Sequence, residues 1–303
     1  MTFKAGAVPM VLLAAALLLP AAALTSAAGE ARMDEAAWCN DVPMGLAKGC
    51  QRAIPEDAEP LEVLPVDLNP LTVSVQTGSG TSQVPCSDEA GCPDLIVDAR
   101  DLRQGFQRAE TFSPSDCNVQ EGSTEPGTRQ LLRFSFTTPN IGLGDLIVGR
   151  PSQHPEWFEW GACHGHWHFR EYADYRLWTV DGWLVWNTLR LAHPDATAQE
   201  VFDGYPDLTT GYVDGHKQGF CIIDLQLFFP ASLAGPGQYY SCGSNQGISV
   251  GYADSYYWGL DGQFIDVTDV PSGVYVLEAE VNAERLYVES DYVNNRGVMV
   301  VRI

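Results

Sequence analysis

The chain has 303 residues, with 39 acidic against 17 Lys and Arg side chains and a formal net charge of -22. A surface this acidic repels phosphate backbones and attracts cations, which excludes nucleic acid as a partner class. The length allows one large β domain or two small domains with a sizeable buried core.

Lys4 precedes an uncharged apolar run that Pro9 and Pro20 interrupt and that small residues (Ser26, Ala28) close. Residues 1–28 therefore read as a secretory signal peptide cleaved near Ala28, not as a retained membrane anchor. No second long apolar segment follows, so the expected product is exported, soluble and without stable membrane insertion. Residues 29–85 are rich in Pro, acidic and small polar residues ("IPEDAEPLEVLPVDLNP", "QTGSGTSQ") and read as linker or wrapping segment. An organised domain is expected over residues 86–303. Eight cysteines in an exported chain indicate disulfides, and local spacing suggests Cys39 with Cys50 and Cys86 with Cys92.

Asp98 to Glu110 is the best helix candidate, weakened by Gly105. Beyond it, apolar residues alternate with polar ones in Leu131–Thr138, Trp167–Val180, Gly273–Val281 and Gly297–Ile303, separated by Gly, Pro, Asn and Asp clusters. In Gly273–Val281, Tyr275, Leu277, Ala279 and Val281 form one apolar face while Glu278 and Glu280 point away, the pattern of a half-buried antiparallel strand. The expected fold class is mainly β, a β-sandwich-like domain with long loops and little helix.

Three of the six histidines fall in "CHGHWHF", Cys163 to Phe169. On a strand, His164, His166 and His168 share one face and can converge on one ion, whereas on a helix they fan around the cylinder. Three histidine ligands leave a position open to water or substrate, and an all-nitrogen set in an exported protein favours Cu(II) over zinc. Lys217, in "GHKQGFC", is one of only three lysines, with Lys4 and Lys48. "GISVG" fits a nucleophile elbow at Ser249, but no histidine follows His216, so it reads as a glycine-rich turn.

Several ordered stretches resemble the lysyl oxidase family of copper amine oxidases. "EWGACHGHWHF" is similar to its copper-binding stretch, "GHKQGFC" to its cofactor lysine segment and "NQGISVGYADSY" to its cofactor tyrosine segment, while "FIDVTDVPSGVYVLEAEVN" and "VESDYVNN" resemble its closing strands and turn. The chain is identified on these as a secreted, microbial-type member. The resemblance implies that His164, His166 and His168 bind Cu(2+), and that Lys217 and Tyr256 form the self-derived lysine tyrosylquinone. It also implies that Cys163 pairs with Cys242. The implied reaction is oxidative deamination of a primary amine (protein lysine, polyamine or small amine) by O2, giving an aldehyde, H2O2 and ammonia. The reaction needs a carboxylate base; Asp254 is nearest Tyr256 in sequence, with Asp261 and Asp266 as competitors.

Departures from animal members accompany the resemblance. Tyr252 and Gly262 stand where those carry cysteines, Cys117 and Cys221 lack obvious partners, and Asp174 replaces a histidine. A longer connection, Thr179 to Asp214, separates the histidine strand from Lys217. The alternative functional readings are a secreted metal-binding or adhesive β module without redox activity, and a zinc hydrolase that leaves Lys217 and Tyr256 unexplained.

Overall fold

A computed structural model describes residues 54–64, 91–215, 217 and 219–303. The expected signal peptide, most of the 29–85 segment, and Cys39, Cys50 and Cys86 lie outside the described residues. Cys92 is disulfide-bonded to a partner outside them.

The chain is mainly β, arranged in several antiparallel sheets. The strands that position the site are β1 (Phe106–Phe112), β2 (Gly127–Arg133), β3 (Phe136–Pro139), β4 (Phe158–Gly161), β5 (His166–Phe169), β6 (Ala173–Thr179), β7 (Tyr212–Gly215), β8 (Tyr252–Tyr256), β9 (Phe264–Asp266), β10 (Val274–Val281) and β11 (Arg296–Arg302). One sheet runs β7-β6-β10-β11 with the short strand Glu62–Val63 at its edge. A second runs β1-β2-β9, flanked by Glu59–Pro60, and a third joins Gln226–Leu227, β8 and β3. β4 and β5 form a separate ribbon with Trp160 opposite Trp167. Inward side chains of these sheets, among them Leu132, Phe134, Phe136, Tyr175, Leu277 and Ala279, meet in one buried cluster.

Two expected strands are each broken in the middle. Leu131–Thr138 splits at Phe134–Ser135, where the chain passes from the second sheet to the third. Trp167–Val180 splits at Arg170–Tyr172, with Glu171 at a φ of 51°. The helix expected over Asp98–Glu110 is a single turn, Ala99–Leu102, capped by the Asp98 carboxylate on the Arg100 amide. After Gly105 the chain pairs with β2 as β1, because cross-strand contacts from Phe106↔Arg133 to Phe112↔Gly127 outweigh a weak local helix preference.

The expected half-buried β10 is instead buried on both faces: Glu278 is 0% and Glu280 1% exposed. The reason is the long connection between β6 and β7, which folds into α1 (Val180–Ala192) and α2 (Ala198–Gly204) over that face. Thr179 caps α1 on the Gly182 amide, and Thr197 with Glu200 forms a capping box for α2. Trp183, Trp186 and Arg190, on one side of α1, face the sheet. Trp183 Nε1 and Trp186 Nε1 donate to Glu278 at 3.2 and 2.9 Å. Arg176 Nη1 donates to Glu278 and Glu280 at 3.3 and 3.0 Å, and Arg190 Nη2 to Glu280 at 2.7 Å.

Removing one member of such a network leaves buried charges and donors without partners. Glu278→Ala should lower the unfolding free energy by about 3–5 kcal/mol in urea titration. A variant as stable as the parent would contradict this account of the helical layer.

Candidate active site

The three histidines do not lie on one strand face, as their spacing suggests. β5 begins at His166, so only His166 and His168 share a face, while His164 sits in the turn before it. The His164 and Gly165 amides both donate to the Gly161 carbonyl, and Gly165 adopts a left-handed φ of 67°. The rings still gather, with centroids 5.8 Å apart for His164 and His166, 5.2 Å for His164 and His168, and 4.8 Å for His166 and His168.

His166 Nδ1 lies 3.1 Å from the His164 carbonyl, which can only accept, so Nδ1 carries the hydrogen and Nε2 the lone pair of the neutral ring. That Nε2 faces His168 Nε2 at 3.1 Å. His168 is held neutral, its pKa lowered to about 4 by burial and then by the repulsion that protonated His166, His164 and Lys217 would exert on its charged form. Glycines from two segments, Gly161 before the motif and Gly219 beside Lys217, make room for its ring. A Cβ at Gly161 would stand 2.5 Å from His168 Cε1, and one at Gly219 would stand 2.0 Å from Nδ1.

His164 lies between two carboxylates: Nε2 is 3.1 Å from Asp261 Oδ2, and Nδ1 is 3.2 Å from Glu121 Oε1. The Nδ1 contact lacks hydrogen-bond alignment, leaving that buried nitrogen unsatisfied. Among the described residues no group of three or more His, Cys, Asp or Glu side chains is gathered in metal-ligand geometry. The chemistry of the donor set nevertheless fits a cation. Two Nε2 atoms face each other, one ring's tautomer is fixed by a carbonyl, and an unsatisfied imidazole nitrogen lies alongside.

The same pocket, about 680 Å³ including its open mouth, is also lined by Glu121, Lys217, Asp254, Tyr256 and Asp261. Lys217 Nζ donates to the Asp261 carbonyl at 2.9 Å and lies 5.6 Å from the Tyr256 ring centroid. Lys217 as a whole is only partly buried, but its amine end is enclosed. Burial lowers its pKa to about 8, against the opposing pull of Asp261, Glu121 and Asp254.

Tyr256 ends β8 and packs edge-on against Phe220, centroids 5.0 Å apart at 87°. Its one hydroxyl hydrogen is shared between Asp254 Oδ2, 2.5 Å away, and the Cys221 carbonyl oxygen, 3.0 Å away. Burial raises the Asp254 pKa to about 7, despite hydrogen bonds from Tyr256, Ile223 and Ser255 that favour its charged form. Burial, then the charge of Asp254, pushes the Tyr256 phenol well above its usual value.

A sequence profile described as lysyl oxidase matches residues 107–190 and 184–302. The chain belongs to the lysyl oxidase family. It is 31% identical over 230 residues to lysyl oxidase homolog 1 of Homo sapiens, covering 71% of this chain and 34% of that protein. It is 30% identical over 234 residues to lysyl oxidase homolog 2 of Homo sapiens, with 73% and 25% covered. Against lysyl oxidase homolog 4 of Bos taurus the identity is 28% over 239 residues, with 75% and 27% covered. The chain thus spans about a third or less of the length of these curated relatives.

In this lysyl oxidase-family chain the remaining expectations divide. Asp261 belongs to the pocket, but Asp266 does not. Its carboxylate accepts from Thr124 Oγ1 at 2.6 Å and Arg129 Nε at 2.7 Å, and its pKa is lowered because these bonds and those from Thr268 outweigh the opposing effect of burial. Ser249 is buried, and its hydroxyl donates to Asp224 Oδ2 at 2.7 Å, so "GISVG" is a structural turn. Asp174 pairs with Arg176 beside the helical layer, its pKa raised to about 6 mainly by burial.

The expected Cys163–Cys242 pair is wrong. Cys163 bonds to Cys117 and Cys242 to Cys221, with Cα separations of 5.8 and 5.3 Å that both suit a disulfide. The first bond draws the turn Cys117–Gln120 against His164, which brings in two residues that the sequence did not flag. Glu121 faces His164, and Asn118 binds Asp261 and Gly262. The only local signal was Asp116, whose carboxylate caps that turn on the Asn118 amide. Non-reducing peptide mapping should recover Cys117 joined to Cys163 and Cys221 joined to Cys242. Recovery of Cys163 joined to Cys242 would contradict the structure.

Proposed function

We propose that this chain is a copper- and lysine tyrosylquinone-dependent amine oxidase that converts primary amines to aldehydes with O2, releasing H2O2 and ammonia. Family membership supports amine oxidase-type function. The observation that supports the finer reading most is the 5.6 Å approach of Lys217 Nζ to the Tyr256 ring, in a pocket that also holds the three histidines. In this reading His164, His166 and His168 hold Cu(2+). Bound copper supplies redox chemistry with O2, and the quinone derived from Lys217 and Tyr256 supplies the electrophilic carbonyl at which an amine is oxidised.

The chain's own groups suit those tasks. An amine is nucleophilic only when uncharged, and a Lys217 pKa near 8 leaves an appreciable neutral fraction at physiological pH. The Asp261 carbonyl directs that amine, and Phe220 fixes the plane of the Tyr256 ring. Asp254 keeps the phenol proton at Tyr256 Oη. A buried carboxylate with a pKa near 7 is also suited to take a proton from a bound substrate, which supports it as the general base over Asp266. Glu121 and Asp261 give the pocket an acidic lining that attracts a protonated amine.

The substrate class is a primary amine, whether protein lysine, polyamine or small amine, with O2 as co-substrate. We assign residues 86–303 to the catalytic region and residues 1–28 to a cleaved secretory leader, with the product extracellular. The disulfides support an oxidising compartment. Among the described residues no helix is long and apolar enough to cross a membrane.

Copper-loaded protein should develop quinone colour and release H2O2 from primary amines. Lys217→Ala should abolish both while keeping copper, and His166→Ala should lose the copper as well. A Lys217→Ala protein with parental turnover would overturn this function.

A further inference from the structure

Asn118 is almost fully buried, yet it lies on a four-residue turn far in sequence from the other pocket residues. Its side-chain amide grips two consecutive residues: Nδ2 donates to Asp261 Oδ1 at 2.8 Å, and Oδ1 accepts from the Gly262 amide at 2.7 Å. Nδ2 is also within 2.9 Å of Asp116 Oδ1. The turn so gripped presents the Asp261 carboxylate to His164 and the Asp261 carbonyl to Lys217 Nζ. Gly262 has a left-handed φ of 68°, and a Cβ there would stand 3.3 Å from Lys217 Cα. The Cys117–Cys163 bond anchors the other end of this bracket beside His164.

We propose that Asn118 is a positioning residue, which clamps the Asp261–Gly262 turn from both sides and thereby fixes the carbonyl that holds Lys217 Nζ toward the Tyr256 ring. The proposal rests on the reading of Lys217 and Tyr256 as cofactor partners. A residue that merely completed a surface turn would affect stability alone. A clamp one residue removed from both His164 and Lys217 affects the environment of the amine and its approach to the ring. The titratable groups that face that amine are Asp261, Glu121, Asp254 and His168; replacing Asn118 removes none of them and takes one hydrogen-bond donor from the Asp261 carboxylate.

The test uses the full chain without copper and an amine-acylating reagent, with modification of the Lys217 peptide followed by mass spectrometry against pH. The parent should show a midpoint near 8. Asn118→Ala should raise it by about one unit or more toward the ordinary lysine value of about 10.4. Asp261→Asn keeps both the acceptor for Asn118 and the backbone carbonyl, and should not raise it. On adding copper, quinone colour should form about ten- to a hundred-fold more slowly in Asn118→Ala than in the parent. Retention of both disulfides in peptide maps checks the fold. Should Asn118→Ala fail to fold, Gly262→Ala perturbs the same turn from its other side and should give the same upward shift. An unchanged midpoint with parental colour formation in a folded variant overturns the proposal. If the parent itself forms no quinone while the variant midpoint still shifts, the cofactor reading fails and the clamp stands.

Discussion

The hydrogen bond from Tyr256 to Asp254 is the constraint on which the candidate site depends. Both groups are buried, and the bond is 2.5 Å long. A carboxylate removed from water is costly unless hydrogen-bonded, so Asp254 gathers the phenol and two backbone amides around itself. That requirement fixes the Tyr256 hydroxyl, and with it the ring's perpendicular packing on Phe220 and the ring face near Lys217. The neutral-shifted Asp254 and Lys217 share one cause, since burial is the largest contribution to both.

Rigidity at the site comes from covalent and polar ties more than from regular structure. Lys217 and His164 lie outside any strand or helix. The Cys117–Cys163 bond tethers the turn before His166, and the Cys221–Cys242 bond holds the carbonyl that accepts from Tyr256. Each such closure stabilises by roughly 2–4 kcal/mol, largely through the unfolded chain. On the far face of the β6-β10 sheet, the α1–α2 layer and its buried arginine–glutamate network close the core without contributing to the pocket lining.

The mainly β class was legible because period-2 patterning is local, and β10 and β11 form over the segments that carried it, Gly273–Val281 and Gly297–Ile303. The same alternation misled at Glu278 and Glu280, because period alone cannot show that a second layer covers the polar face. α1 was hidden in a segment whose Trp and Arg residues face inward while Leu184 and Val185 face solvent, the reverse of the usual pattern. The pocket residues His164, His166, His168, Lys217, Tyr256 and Asp254 were legible from ordered motifs. Glu121, Asn118 and the true disulfide pairs were not, because pairing partners 46 and 21 residues apart are set by tertiary packing that no local spacing encodes.

The proposed cofactor requires Lys217 and Tyr256 to become one covalent unit. Lys217 is the only lysine in residues 86–303, so the chemistry has no competing donor there. Mass spectrometry of a digest of active, copper-reconstituted protein measures this directly. A single species joining the Lys217 and Tyr256 peptides is expected; separate, unmodified peptides throughout the active fraction would contradict the proposed cofactor.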